Sequence, residues 1–158
     1  ALLVRTMQQQ KVTPKAIYSV LGGAASSYKF LKEFPDAANG IIDCNHWFNP
    51  KDARAQALKK RVEAKGLYFS YELFLTYTAM WLLADALERA KSIDRAAIID
   101  ALEKSTFADH FMPYGPTKFV NGQNQGAQPL MTQVLNKVIK VIIPRDYRQA
   151  DPLFPLKA

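Results

Sequence analysis

The apolar residues of this 158-residue chain change their spacing as the chain proceeds. Residues 2–11 place Leu3, Val4, Met7 and Val12 on or near one helical face, and Thr13-Pro14 ends that period. Ala16 to Leu21 is a short, β-rich apolar run closed by Gly22-Gly23, which predicts a buried strand. Residues 27–33 read as a helix stopped near Pro35, and Gly40 to Cys44 as a second strand. Helix, strand, helix, strand in sequence predicts a parallel sheet with helices packed on it. The opening helix has no strand before it, so the chain reads as beginning inside a fold.

Longer helical periods follow. Asn49-Pro50 is read as N-cap and first helical position of a helix to about Lys65, with Ala55, Leu58 and Val62 inward and Gly66 as its stop. Residues 71–91 are apolar nearly all round until Glu88, Arg89 and Lys91, which predicts a helix buried on several sides. Ser92 and Asp94 open a further helix to about Lys104, carrying Ile98 and Leu102. Residues 106–128 hold Pro113, Gly115, Pro116, Gly122 and Gly126 and read as loop, with one short strand near residues 117–119. Residues 130–143 predict strands joined by a turn at Asn136-Lys137, before a polar tail.

Composition is that of an ordinary globular domain, with 49% hydrophobic and 22% charged residues. The formal charge of +7 raises nucleic acid or an anionic membrane as partner, but the basic residues are scattered. The densest cluster, Lys59-Lys60-Arg61, has Glu63 close by and reads as a solvated helix face, so no nucleic-acid partner is expected. The longest apolar stretch, Leu73 to Leu87, contains Thr76, Thr78 and Asp85 and is short for a bilayer span. The first residues lack the basic region of a secretory signal, and the start reads as processed or truncated. One cysteine, Cys44, and two distant histidines, His46 and His110, build neither a disulfide nor a zinc site. No metal and no cofactor is expected.

Candidate chemistry is sparse. No Gly-x-Ser-x-Gly elbow, phosphate loop or Gly-x-Gly-x-x-Gly is present, so the chain is expected not to be an enzyme. Gly22-Gly23-Ala24-Ala25 is either a packing turn or a place where small residues let a ligand reach backbone amides at a helix start. Trp47, in Asn45-His46-Trp47-Phe48-Asn49, is either core or the lining of a cleft. Tyr71 and Glu72 are either a helix start with a favourable acid in its first turn or a pocket wall.

Several segments together resemble the type I periplasmic solute-binding proteins of branched-chain amino acid ABC transporters, over about residues 1–155. They are Asp36-Ala37-Ala38-Asn39-Gly40-Ile41-Ile42, Thr76-Tyr77-Thr78-Ala79 through Ala84-Asp85-Ala86-Leu87-Glu88-Arg89-Ala90, and Tyr114-Gly115-Pro116-Thr117-Lys118-Phe119 followed by Asn121-Gly122-Gln123-Asn124. Gly22-Gly23-Ala24 followed by Phe30-Leu31 adds to the likeness.

The resemblance implies an incomplete α/β fold carrying the C-terminal half of such a protein, with parts of both lobes and parallel sheets flanked by helices. Residues 1–46 would belong to the second lobe and 47–128 to the first, with hinge crossings at about 45–49 and 125–135. Residues 129–158 would return across the hinge. A small solute would bind between the lobes, a membrane ABC permease would be the partner, and the location would be periplasmic. The solute-contacting residues would include Leu21, Gly22, Gly23, Trp47, Tyr71 and Glu72. Amino-acid-binding members carry an acidic side chain near the turn after the first strand, and that place falls on Leu21. Leucine cannot pair with an ammonium group, and no residue from Val20 to Ala25 is acidic, so the expected solute is an aromatic or other organic carboxylate. Glu72 is the alternative source of the charge. A cytoplasmic ligand sensor and an α/β enzyme on a similar fold are the competing functions. The half-built sheet also predicts a homodimer, with exchanged elements.

Overall fold

The computed structural model describes residues 2–20, 23, 25 and 27–156. Helix α1 (Leu2–Gln9) leads to strand β1 (Tyr18–Val20), helix α2 (Tyr28–Glu33), a short α3 (Pro35–Ala38) and β2 (Ile42–Asn45). Three longer helices follow: α4 (Ala53–Ala64), α5 (Tyr71–Ala90) and α6 (Arg95–Glu103). The chain ends with two small strands, β3 (Phe119–Val120) and β4 (Gln123–Asn124), then the hairpin β5 (Leu130–Leu135) and β6 (Val138–Ile143). A 3-10 turn at Arg145–Tyr147 and a tail close the chain.

The main sheet has the order β1-β2-β5-β6. Strands β1 and β2 are parallel, as expected, but β2–β5 and β5–β6 are antiparallel. The sheet is therefore mixed: the parallel pair expected from residues 16–44 is present, and the other two pairings are antiparallel. The hairpin supplies the difference: its partner strand is far away in sequence, and local hydrophobic spacing does not encode it. The turn between β5 and β6 falls at Asn136-Lys137, with φ of 51° and 64°. Both residues are left-handed, the conformation a two-residue hairpin turn needs to match the strand twist.

Two expectations change. Helix α4 is capped by Asp52, whose carboxylate accepts hydrogen bonds from the Arg54 and Ala55 amides, not by Asn49. Helix α5 buries only one stripe, at Phe74, Thr78 and Ala86, while Met80, Trp81 and Leu83 stand exposed. Its opposite face is uncovered, so it is not buried on several sides.

The core runs from the sheet to the helices. Val134, Ile139 and Val141 of the hairpin join Leu31, Ile41, Ala55, Leu58 and Phe74. Its densest part is an aromatic knot. Phe48 stacks on Phe74 at 4.4 Å, Phe69 meets Phe74 edge-on at 4.7 Å, and Trp47 meets Phe69 edge-on at 5.7 Å. Such pairs add to their area burial through ring quadrupoles, and this one ties the segment after β2 to the start of α5. The tail is docked as well. Gln133, buried in β5, donates to the Gly40 and Leu153 carbonyls at 2.9 and 3.0 Å and accepts from the Leu153 amide at 2.8 Å.

Candidate functional site

Strands β1 and β2 run in parallel and end at the same edge of the sheet. In open sheets of this kind, ligands bind beyond the carboxyl ends of the strands. Two residues expected at a solute site, Gly23 and Tyr71, converge there, with Glu72 next to Tyr71 on α5. Gly23 has φ of +67°, and a Cβ built on it would lie 2.6 Å from Tyr71 Cε1 and 2.8 Å from Tyr71 Oη. Glycine is thus required twice, for the backbone conformation and for the close approach of the ring. Tyr71 is the first residue of α5. Its position is fixed from the other side by the Tyr28 amide, which donates to the Phe69 carbonyl at 3.0 Å, and by an antiparallel bridge between Ser27 and Ser70.

The environment of Tyr71 is electrostatically marked. Burial, then the charge of Glu72 and a hydrogen bond with it, then Asp43, hold its phenol above the ordinary value. The Tyr71 hydroxyl therefore stays protonated, with Glu72 as its acceptor and its oxygen left as an acceptor toward a ligand. Glu72 is exposed, on a shallow groove with Tyr68, Thr76 and Met80. At the end of β2, Asn45 Nδ2 and His46 Nδ1 are buried with no hydrogen-bond partner. Buried polar atoms normally have one, so this end of the sheet holds unused polar capacity. Aromatic composition drew attention to that stretch, while the polar atoms were not singled out. Their burial depends on the packing of Trp47 and Phe48.

Not every expected residue meets at this place. Leu21 and Gly22 lie outside the described residues. Trp47 is 2% exposed, lies inside the aromatic knot and lines no described cavity, which is the placement of a core residue. Among the described residues no group of His, Cys, Asp and Glu is arranged to hold a metal ion, and no helix is long and apolar enough to cross a membrane.

A second concavity, which sequence reasoning did not find, lies between α4 and α5. It has a volume of about 280 Å³. Arg61 and Ala57 of α4 face Tyr77, Thr78 and Trp81 of α5 across it, with Phe111 at one end. Tyr77 stacks on Phe111 at 5.3 Å, and the Arg54 guanidinium covers the same Phe111 ring at 5.2 Å. His110 beside it is largely buried. Its Nδ1 accepts from the Met112 amide and its Nε2 lies 3.1 Å from the Gly115 carbonyl, which it reaches as the Nε2–H donor. Burial holds its pKa below the ordinary value, so the ring is neutral.

Comparisons with known proteins agree with this architecture. The family model described as "Periplasmic binding protein" matches residues 1–137. The leucine-binding protein of Thermotoga maritima has a similar structure, with a TM-score of 0.69 at 21% identity over 89% of this chain and 39% of that one. A possible leucine/isoleucine/valine-binding protein from Rhodopirellula baltica gives a TM-score of 0.71 at 18% identity, over 94% of this chain and 40% of that one. A branched-chain amino acid ABC transporter protein from Thermus thermophilus, solved with bound valine, gives 0.61 at 15% identity, over 96% and 42%. The chain therefore spans 39% to 42% of the length of these structures. No curated protein matches the chain significantly.

Proposed function

Because this chain belongs to the periplasmic binding protein family, we propose that it forms one wall of a solute-binding cleft in the receptor of an ABC importer. The observation that carries this reading is the packing of Tyr71 on Gly23 at the carboxyl ends of two parallel strands. Such a site suits binding: Tyr71 presents a protonated ring hydroxyl against Gly23, and among the described residues no nucleophile–base pair stands beside it. Delivery of the solute to a membrane permease, on the outer side of the membrane, completes the reading.

In this proposal residues 1–46 belong to one lobe, 47–128 to the other, and 129–158 return across the hinge. The pairing of Asn45 with Leu130 supports it, since that pair puts the two proposed crossings, 45–49 and 125–135, side by side. Closure would follow from contacts that exist only in the closed state. The exposed edge of β1 supports an associating surface, including the homodimer expected from sequence.

The proposed solute is an organic carboxylate, aromatic acids included, rather than an α-amino acid. No residue from Val20 to Ala25 is acidic, and of the two acids near Tyr71, Asp43 is buried within β2 and Glu72 is exposed and turned onto the α5 groove. Calorimetric titration with leucine, valine, phenylacetate and 4-hydroxybenzoate tests the choice. The aromatic acids should bind and the amino acids should not. Binding of leucine without binding of either aromatic acid would overturn the solute assignment, and binding of none of the four would overturn the cleft itself.

A further inference from the structure

The slot between α4 and α5 is a concavity separate from the strand-end group. Along α5, Trp81 lies ten residues beyond Tyr71, about 15 Å at the helical rise. The small Ala57 of α4 and the large Trp81 of α5 both line the slot. Its walls are aromatic. Trp81 is 48% exposed although it is among the largest apolar side chains of the molecule, and Tyr77 supports it at 6.2 Å.

Its electrostatics favour an anion. The one carboxylate lining the slot among the described residues, Asp109, is matched by Arg54, which also pairs with Asp52. Arg61 forms no ion pair among the described residues, and α4 carries Arg54, Lys59, Lys60 and Arg61 against the single acid Glu63. The neighbouring His110 is occupied by backbone groups on both ring nitrogens and adds no charge. A free guanidinium beside an open aromatic wall is a pairing that selects planar anions, since the ring lies on the indole while the carboxylate takes a bidentate guanidinium contact. The volume, about 280 Å³, sits at the small end of ligand pockets and suits one ring.

We infer that this slot binds a single-ring aromatic carboxylate, its ring against Trp81 and its carboxylate on Arg61.

The test is an amide-detected NMR titration of the protein with benzoate, benzamide and benzylamine. Benzoate should shift the Arg61 and Thr78 amides and the Trp81 indole saturably. Neutral benzamide should bind at least about tenfold more weakly, and benzylamine not at all, because the charge-assisted contact is lost. Arg61→Met and Trp81→Ala, both on exposed positions that leave the buried stripe of α5 intact, should each weaken benzoate binding about tenfold or more. Equal affinity for benzoate and benzamide, or unchanged binding in both variants, would overturn the inference. So would absence of saturable shifts up to the solubility limit, or sedimentation showing a dimer whose contact covers Trp81. Shifts confined to Gly23 and Tyr71 would also overturn it while supporting the cleft, so the two proposals fail separately.

Discussion

The two sides of the sheet are built differently. On the β6 side the edge is finished. The Gln149 amide donates to the Val141 carbonyl at 2.8 Å, Gln149 Oε1 accepts from the Val141 amide at 3.1 Å, and Arg148 Nε donates to the Ile142 carbonyl at 3.0 Å. On the β1 side, three residues pair with β2 alone, and Tyr18 and Val20 are 52% and 61% exposed. The finished side spends its polar groups on holding the chain to itself. The open side leaves this edge unpaired among the described residues. One edge of this small sheet is thus covered by its own chain, and the other is left open.

The largest expected effect is on the finished side. Gln133→Ala should cost about 3 kcal/mol, because it opens a void and leaves the buried Gly40 carbonyl and the part-buried Leu153 groups without their partner. Tyr18→Ala, on the open edge, should stay within about 1 kcal/mol. Urea unfolding of the two variants side by side checks the contrast, and equal losses would erase it.

Gly23→Ala should come next, at about 2 kcal/mol, from the left-handed backbone and the clash with Tyr71. Removing the ring should relieve part of this: in a double-mutant cycle, Tyr71→Ala combined with Gly23→Ala should cost less than the two single losses added together. Strict additivity would show that the two residues do not touch.

Asp52→Ala should remove about 1 kcal/mol with the α4 cap. Burial raises the Asp52 pKa, but hydrogen bonds from Arg54 and Ala55 outweigh this and leave it below the ordinary carboxylate value. Its contribution is therefore present above about pH 3.9, the unfolded value, and is lost as pH falls through the lower folded value. Thermal melts of wild type and variant should converge in that acid range.

The smallest effect is at His110. Its folded pKa lies below the unfolded value of about 6.5. The unfolded chain then binds the proton more readily, so stability is full above pH 6.5 and declines as pH falls through the folded pKa. His110→Gln should flatten melting temperature against pH in that window, while the Asp52-dependent loss at lower pH should persist.

Much of this architecture was legible in local spacing, and the exceptions share a cause. The Asn136-Lys137 turn was readable because Asn tolerates the left-handed region, and α5 because its run is long. The β2–β5 pairing was not, since it joins segments that no local period connects. Short α3 looked like a stop at Pro35, although proline at a first helical position starts a helix as readily as it ends one. At the site, Gly23, Tyr71 and Glu72 were singled out from the sequence; Gly23 and Tyr71 meet at the strand ends, and Glu72 lies on the outer groove beside Tyr71. Trp47 was singled out for its type, but its neighbours Phe69 and Phe74 arrive from a distant helix and enclose it. The slot at Arg61 and Trp81 escaped notice because its two walls sit on different helices.

The central claim is that the carboxyl ends of β1 and β2, with Tyr71, form a solute-binding wall. Amide-detected NMR titration of the protein with phenylacetate tests it most directly. The account predicts saturable shifts centred on Gly23, Tyr71 and Asn45 that are weakened in Tyr71→Phe. Saturable binding whose shifts avoid all three residues, or no saturable shift at all with either aromatic or amino acids, would contradict it.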